Sequence, residues 1–425
     1  MLQIGDRSQL VLRVLMPFFL FSGSLMVIIG SLGFYQRGHS RTVAQTGARA
    51  VLAFFLALPV LYFVSMEWLH SRTLALTLTA TTMVILALRV RVAHSKPLGM
   101  LRQRVLIFGT GRHAKSVATA LRKSDPNVEL VGYYAGPNET SVEVSGWGLL
   151  SPEKSLTDIV KEQQVDVIVV ALSERRGGSL PLRELLDCKL QGVRVIDIAT
   201  HFEQTLGQIR LESVSAGWLV FGDGFAHKNF IRAAIKRLFD IVSSIILILL
   251  TWPIMLVTGI LILVESGPPV LYLQERVGLN GRLFNVVKFR SMQIDAEADG
   301  TPRWASASDD RVTRVGRVIR KLRIDELPQL FSVLGGSMSL VGPRPERPYF
   351  VDQLTEELPY FAVRQSVKPG VTGWAQVRYQ YGASVEDAAE KLQYDLYYVK
   401  NQSFFLDLVV LFETVGVVLL GKGAQ

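Results

Sequence analysis

The stretch IVSSIILILLTWPIMLVTGILILV (Ile241–Val264) carries no charge and exceeds the roughly 20 apolar residues needed to cross a bilayer. Its flanks decide how it meets the membrane. Lys228, Arg232, Lys236 and Arg237 precede it, and Arg276, Arg282, Lys288 and Arg290 come after it. Basic residues stay on the cytoplasmic side, so both ends read as cytoplasmic. Pro253, behind Trp252, lies at the middle, where a proline removes a backbone hydrogen bond and clashes with the preceding turn. Each arm of about 12 residues reaches roughly 18 Å, little more than one leaflet. The reading is a re-entrant helical hairpin over 236–264, broken at Trp252-Pro253. A full span would place the segments before and after it in different compartments.

Three earlier segments, near Val14–Tyr35, Ala48–Leu69 and Thr73–Val90, are long and apolar enough to span. Arg37, Arg41 and Arg49 fill the loop between the first two, and Arg89, Arg91, Lys96, Arg102 and Arg104 come after the third. The short second loop has Arg72 and His70 beside Glu67. This asymmetry predicts three transmembrane helices in 1–95, with the N-terminus outside and everything after residue 90 cytoplasmic. Across 425 residues, the 49% hydrophobic content and mean hydropathy of +0.28 agree with a chain partly in membrane. The net charge of +9 calls for an anionic partner, such as nucleotides, lipid phosphates or an acidic membrane surface. The single cysteine, Cys188, excludes a disulfide framework within the chain.

Residues 102–205 read as a Rossmann-like α/β domain, joined by a linker (206–230) to the C-terminal part of the chain. RVLIFGTG (Arg104–Gly111) is an apolar strand entering glycines, ahead of a helix from about Ala114 to Leu121. VELVGYYAG, VDVIVVAL and VRVIDIAT read as further buried strands. Gly109, Gly111 and Ala114 form G-x-G-x-x-A, the phosphate-cradling turn of a Rossmann unit and a candidate nucleotide-binding site. The second strand ends Tyr134-Ala135-Gly136, with no acid where an NAD ribose would be held, while Arg112 could face a phosphate instead. A structural or regulatory domain and a working dinucleotide site both stay open.

From residue 231 to 425 the chemistry-bearing motifs become dense. In RVTRVGRVIRKLRIDELPQLF (Arg311–Phe331), arginines recur at every third position from Arg311 to Arg323 and lead to Asp325 and Glu326, with Pro328 just beyond. That proline suits the first turn of a helix, which places the carboxylates near its N-terminus. A carboxylate pair among so many cations suits chemistry on a phosphate with a shared divalent metal; the plainer reading is a capped helix start after a solvated basic face. LYLQERVGLNGRLFNVVKFRSM (Leu271–Met292) adds Lys288 and Arg290. In SLVGPRPERP (Ser339–Pro348), prolines on both sides of Arg344 fix the backbone and aim a guanidinium suited to phosphate. VKPGVTGWAQV (Val367–Val377) completes the series.

KFRSM, RIDELPQL, VGPRPERP, KPGVTGWAQ and KLQYDLYYVKNQSFFLDL together resemble the bacterial polyprenyl-phosphate sugar-1-phosphate transferases, the monotopic phosphoglycosyltransferases. The preceding spans and α/β domain resemble the large form that initiates exopolysaccharide or capsule synthesis. GFYQRG, LDCKLQGVRVIDIATHFEQ and WLVFGDGF are similar to sugar transferases found with PEP-CTERM/exosortase gene clusters. The fold so implied is an α/β membrane protein of the bacterial inner (cytoplasmic) membrane, ending in a mainly helical catalytic module on the cytoplasmic face. The resemblance implies transfer of a sugar 1-phosphate from a UDP-sugar to undecaprenyl phosphate, releasing UMP, through a covalent aspartyl-phosphosugar intermediate. Asp325 matches the nucleophile, Glu326 would help hold Mg²⁺ with it or orient the second attack, and Lys288, Arg290, Arg320 and Arg344 match the basic positions around the phosphates. Trp252-Pro253 corresponds to the family's helix break. Asp395 in QYDLYY is a weaker candidate, equally readable as a structural hydrogen bond under the tyrosines. Ser403–Leu420, interrupted by Asp407 and Glu413, reads as an interfacial or packed helix. Large members usually carry four spans where three are found, so the expectation is an outside N-terminus or a misplaced start. A homo-oligomer and exopolysaccharide assembly proteins are further partners that the resemblance leaves open.

The alternatives are a membrane-anchored NAD-dependent sugar-nucleotide dehydratase or epimerase, and a non-catalytic polysaccharide-assembly protein. The first needs a Tyr-x-x-x-Lys pair and a ribose acid, and the Rossmann-like segment has neither. Nucleic acid is not an expected partner, because the basic residues crowd the membrane boundaries and the acidic pair.

Overall fold

The computed structural model describes residues 19–30, 43–64, 72–94, 103–124, 128–136, 154–172, 180–214, 230–294, 311–379 and 384–419, with a few isolated positions between. The charges at Arg37, Arg41, Lys96 and Lys228, and the GFYQRG motif, lie outside the described residues. The chain forms two compact units, Met1–Gly207 and Gln208–Gln425.

In the first unit, each expected span contains a helix: α1 (Phe19–Gly30), α2 (Val43–Val64) and α3 (Arg72–His94). Phe21, Leu25 and Ile29 of α1 pack with Ala53 and Ala57 of α2 and with Leu78 and Leu86 of α3. The small residues of α2 allow close approach. Large apolar side chains such as Phe19, Met26, Phe55 and Leu76 remain exposed on the outside.

The rest of this unit is a four-stranded parallel sheet in the order β2-β1-β3-β4, made of β1 (Gln103–Phe108), β2 (Val128–Tyr134), β3 (Val167–Val170) and β4 (Arg194–Asp197). Four helices, α4 (Arg112–Ser124), α5 (Leu156–Glu162), α6 (Leu182–Leu190) and α7 (Ile198–Leu206), cover its faces. The pleat sorts the side chains. Val105 and Ile107 face α4 and α7, while Leu106 and Phe108 face α5 and α6, among them the buried thiol of Cys188. Both faces are covered, which is why these strands read as unbroken apolar runs. VRVIDIAT is shorter as a strand than expected. It stops at Asp197, whose carboxylate accepts from the Thr200 N–H at 2.9 Å and caps α7.

The second unit is mixed helix and sheet. It opens on α8 (Phe230–Ser266), the one helix among the described residues long and apolar enough to cross a membrane. The chain stays helical through Trp252-Pro253, so the expected break is not a gap in helical structure. Its inward face is one stripe at helical spacing, through Arg237, Asp240, Ser244, Ile248, Thr251, Met255, Thr258 and Ile262. Trp252 lies off that stripe and is 56% exposed, and Pro253 beside it is exposed too.

Both ends of α8 grip the same unit. The remaining elements are β5 (Leu271–Val277), β6 (Leu283–Phe289), α9 (Arg314–Lys321), α10 (Gln329–Gly335), β7 (Ser339–Val341), α11 (Pro348–Glu357), β8 (Gly370–Thr372), α12 (Trp374–Arg378), α13 (Val385–Asn401) and α14 (Phe404–Leu419). Near the start of α8, Arg237 donates to the Val333 and Leu334 carbonyls, each at 2.6 Å, and Asp240 accepts from the Leu340 N–H and the Ser339 hydroxyl. Lys236 pairs with Asp407 of α14 at 2.7 Å, and Tyr398 donates to the other Asp407 oxygen. Glu413 pairs with Arg378. The two acids that interrupt the last apolar run are therefore buried and partnered, making α14 a packed helix. At the far end, Glu265 accepts from the Arg314 and Val315 N–H groups at 2.9 and 3.0 Å, sharing the N-terminus of α9 with the N-cap Thr313. Thr313→Ala is expected to lower stability by about 1 kcal/mol, read as a fall in thermal midpoint; no change would mean that Glu265 alone suffices.

Candidate active site

β5 and β6 pair antiparallel, with Tyr272 opposite Lys288 and Leu271 opposite Phe289, which sets Lys288 and Arg290 at one wall of a cavity of about 430 Å³. α9 supplies another wall. Of the five arginines in the periodic run, Arg311, Arg320 and Arg323 line the cavity, while Arg314 and Arg317 are exposed. Arg323 then takes a left-handed conformation (φ 58°), uncommon for a side chain of this size. That reversal tucks the 3₁₀ turn Ile324–Glu326 inward, leaving Asp325 9% and Glu326 8% exposed. Pro328 is the N-cap of α10, so the pair sits just ahead of that helix as the sequence indicates.

The third wall is held by close backbone packing. β7 and β8 pair in parallel, Ser339 with Gly370 and Val341 with Thr372. The Gly342 N–H donates to the Thr372 carbonyl and the Gly370 N–H to the Pro343 carbonyl. A Cβ on Gly342 would collide with the Lys368 carbonyl, which is why GPRP and KPGVTG need glycines where they meet. Arg344, projecting from this turn, donates to Glu326 Oε1 at 2.7 Å. The same oxygen lies 3.4 Å from Lys288 Nζ and 3.8 Å from Arg323.

The two carboxylates differ sharply. Glu326 is the shared counter-ion of three cations. Burial alone would raise it, but Arg344, Lys288 and Arg323 together outweigh burial and hold it well below the usual carboxylate range. Asp325 Oδ1 is buried with no hydrogen-bond partner among the described residues. Burial, then the negative charge of Glu326, pushes Asp325 up to about 6 against the pull of Lys288 and Arg344. Burial also lowers Lys288, with Glu326 opposing that shift.

Arg290 is less free than its sequence suggests. It is 5% exposed and donates to the Ser266 carbonyl and hydroxyl and to the Gly267 carbonyl, at 2.6 to 3.0 Å. It thus satisfies the C-terminal carbonyls of α8, while its Nε and Nη1 have no partner among the described residues. Asp395 also lines the cavity, and its side chain makes a buried hydrogen bond. It pairs with Arg364 at 2.7 Å, and Arg364 donates in turn to the Arg344 carbonyl at 2.8 Å. Arg364 and Arg323 were not legible as site residues, because Arg364 acts on a group distant in sequence and Arg323 through a backbone reversal. Gly109, Gly111 and Ala114 belong to the other unit. Gly109 (φ 134°) packs against the Ala171 carbonyl, and Ala114 is fully buried.

Residues 231–421 match the family described as "Bacterial sugar transferase". The chain is 45% identical over 243 residues to the UDP-N-acetylgalactosamine-undecaprenyl-phosphate N-acetylgalactosaminephosphotransferase of Aeromonas hydrophila, covering 57% of this chain and 56% of that protein. It is 31% identical over 343 residues to the UDP-glucose:undecaprenyl-phosphate glucose-1-phosphate transferase of Xanthomonas campestris pv. campestris, covering 78% of this chain and 69% of that protein. It is also 44% identical over 191 residues to the uncharacterized sugar transferase EpsL of Bacillus subtilis (strain 168), covering 45% of this chain and 90% of that protein.

Proposed function

This chain belongs to the bacterial sugar transferase family, and from that premise we propose that it transfers a sugar 1-phosphate from a UDP-sugar to undecaprenyl phosphate, releasing UMP, to begin exopolysaccharide or capsule repeat units. The observation that carries this reading is Asp325, a buried carboxylate with an oxygen unpartnered among the described residues, in a cavity whose lining also carries Lys288, Arg320, Arg323 and Arg344. An Asp325 oxygen attacks the sugar-linked phosphorus. The Asp325–phosphorus bond forms as the bond to the UMP oxygen breaks, and UMP leaves with that electron pair. An oxygen of the lipid phosphate then attacks the same phosphorus and expels Asp325, restoring the carboxylate. Splitting one displacement between two anions into two positioned steps is the gain. Arg344, Lys288 and Arg320 stabilise charge on the phosphates and leaving nucleotide, and Arg290 offers its unpartnered Nε and Nη1.

Mg²⁺ fits the donor set. Asp325 Oδ1 is buried with no partner among the described residues, which suits an ion held by one or two carboxylates plus substrate phosphates. Asp325 would hold it, with Glu326 beside it already committed through Oε1 to Arg344 and Lys288. When bound, the ion would neutralise phosphate charge.

We read α1–α3 as membrane spans and the parallel-sheet lobe as Rossmann-like. Both ends of α8 hold one folded unit, which favours a re-entrant helix over a span. That puts the cavity at the headgroup level of the cytoplasmic membrane, where lipid phosphate lies.

The test is UMP release by purified protein in nanodiscs with undecaprenyl phosphate and Mg²⁺. Relatives of this chain are named for N-acetylgalactosamine, glucose and galactose, so those UDP-sugars form the first panel. Lipid-dependent UMP from one donor is expected; no UMP from any, with folded protein, would favour the assembly-protein reading. Because Asp325 must be ionised to attack, kcat/KM is expected to fall as pH drops through about 6, toward tenfold per unit. A profile flat from about pH 7 to 5 would count against Asp325 as the titrating nucleophile.

A further inference from the structure

The glycine turn after β1 has the form that cradles phosphates, and its N–H groups are already taken. The Thr110 N–H donates to Glu139 Oε2 at 2.7 Å and the Gly111 N–H to Glu139 Oε1 at 3.0 Å. The Gly136 N–H reaches Oε2 at 3.4 Å. One carboxylate thus spans both amides at the mouth of α4, where the helix dipole favours an anion and a dinucleotide would lay its pyrophosphate. The carbonyl side is covered as well. The Glu143 and Val144 N–H groups donate to the Thr110 carbonyl at 2.9 and 3.3 Å, and Thr110 is fully buried. Glu139 is far from the turn in sequence, so the contact is a tertiary closure. The missing ribose acid at the end of β2 fits a lobe that has no use for NAD.

We propose that the Gly109–Gly111 turn is an anion site that the chain fills with its own Glu139, so that this lobe takes no free dinucleotide. The carboxylate does for the turn what a phosphate does elsewhere: it accepts from both amides and neutralises the helix end. The closure lies within the first unit, so it stands or falls independently of the transferase reading.

Hydrogen–deuterium exchange on the full-length protein in detergent tests it at the Thr110 and Gly111 amides. Hydrogen bonds to a charged acceptor contribute about 1.5–3 kcal/mol each, so Glu139→Ala is expected to speed exchange there by roughly 10- to 100-fold. Millimolar inorganic phosphate should restore protection in Glu139→Ala and leave the parent protein unchanged, and NADH should not bind the parent. Glu139→Gln keeps the shape and one acceptor oxygen, so it serves if the alanine variant does not fold; its exchange should be intermediate. Protection of the parent amides by NADH or phosphate would overturn the proposal. So would wild-type exchange rates in both variants, or a failure of phosphate to protect the opened turn.

Discussion

Asp325→Asn is expected to slow lipid-dependent UMP release by on the order of 10⁴-fold and, at neutral pH, to make the protein more stable. On the proposed mechanism the loss would arise because a carboxamide cannot form the phosphorus bond that divides the reaction. The gain in stability comes from the sign of the shift. Asp325 has a folded pKa of about 6, above the ordinary aspartate value of 3.8, so folding favours the protonated form. Its contribution to stability is fully present below the unfolded value and is lost as pH rises through the folded one. At pH 7 the ionised, buried carboxylate therefore opposes folding by on the order of 2–3 kcal/mol, a burden that a neutral amide lifts. A higher thermal midpoint at pH 7, together with lost turnover, separates removal of a strained functional group from simple misfolding. Turnover within about tenfold of the parent would leave the reaction standing and remove Asp325 as its nucleophile.

The largest loss of stability is expected at Asp395. It is 2% and Arg364 8% exposed, and their ion pair also fixes the Arg344 carbonyl. Asp395→Ala leaves the Arg364 guanidinium buried without its counter-charge, which costs about 3–5 kcal/mol and lowers the thermal midpoint by roughly 10 °C. It also frees the turn that aims Arg344, so kcat should fall in any protein that stays folded. Asp395→Asn, which keeps one acceptor, should recover much of both. Replacing the pair together, as Asp395→Leu with Arg364→Met, should cost less than Asp395→Ala alone, because no charge is then stranded. A single-variant loss under about 1 kcal/mol would mean that water reaches Arg364 and the pair is not structural.

What could be read from the sequence and what could not divide along the range of the interactions. The strands of the first unit announced themselves, since Val105 through Phe108 and Val167 through Val170 are apolar on both faces. Asp325-Glu326 and the proline-framed Arg344 were readable because local backbone chemistry and a charge pattern carry them. The roles of Arg290, Asp395 and Glu139 were not, because each is set by a partner brought close only by the fold: the end of α8, Arg364, and the turn after β1. The regular arginine spacing was legible, but not which arginines turn inward. Within α9 that depends on which face of the helix packs inward, and beyond its last residue, Lys321, on the left-handed step at Arg323. Pro253 was legible as a weak point of α8, but not the helical state of the chain on both sides of it. A proline weakens a helix by one hydrogen bond, and the helix runs on past it.

The meeting of Arg344, Lys288 and Arg323 on one Glu326 oxygen has a thermodynamic consequence for substrate capture. Long cationic side chains normally surrender about 1.5–2 kcal/mol of rotamer entropy each when they close on a ligand. Here that ordering is completed during folding, and the heads already converge beside Asp325 before any diphosphate arrives. On the proposed function, a donor would meet cations already ordered on Glu326, and its affinity would reflect an exchange of partners, Glu326 for phosphate, more than the collapse of loose side chains around it.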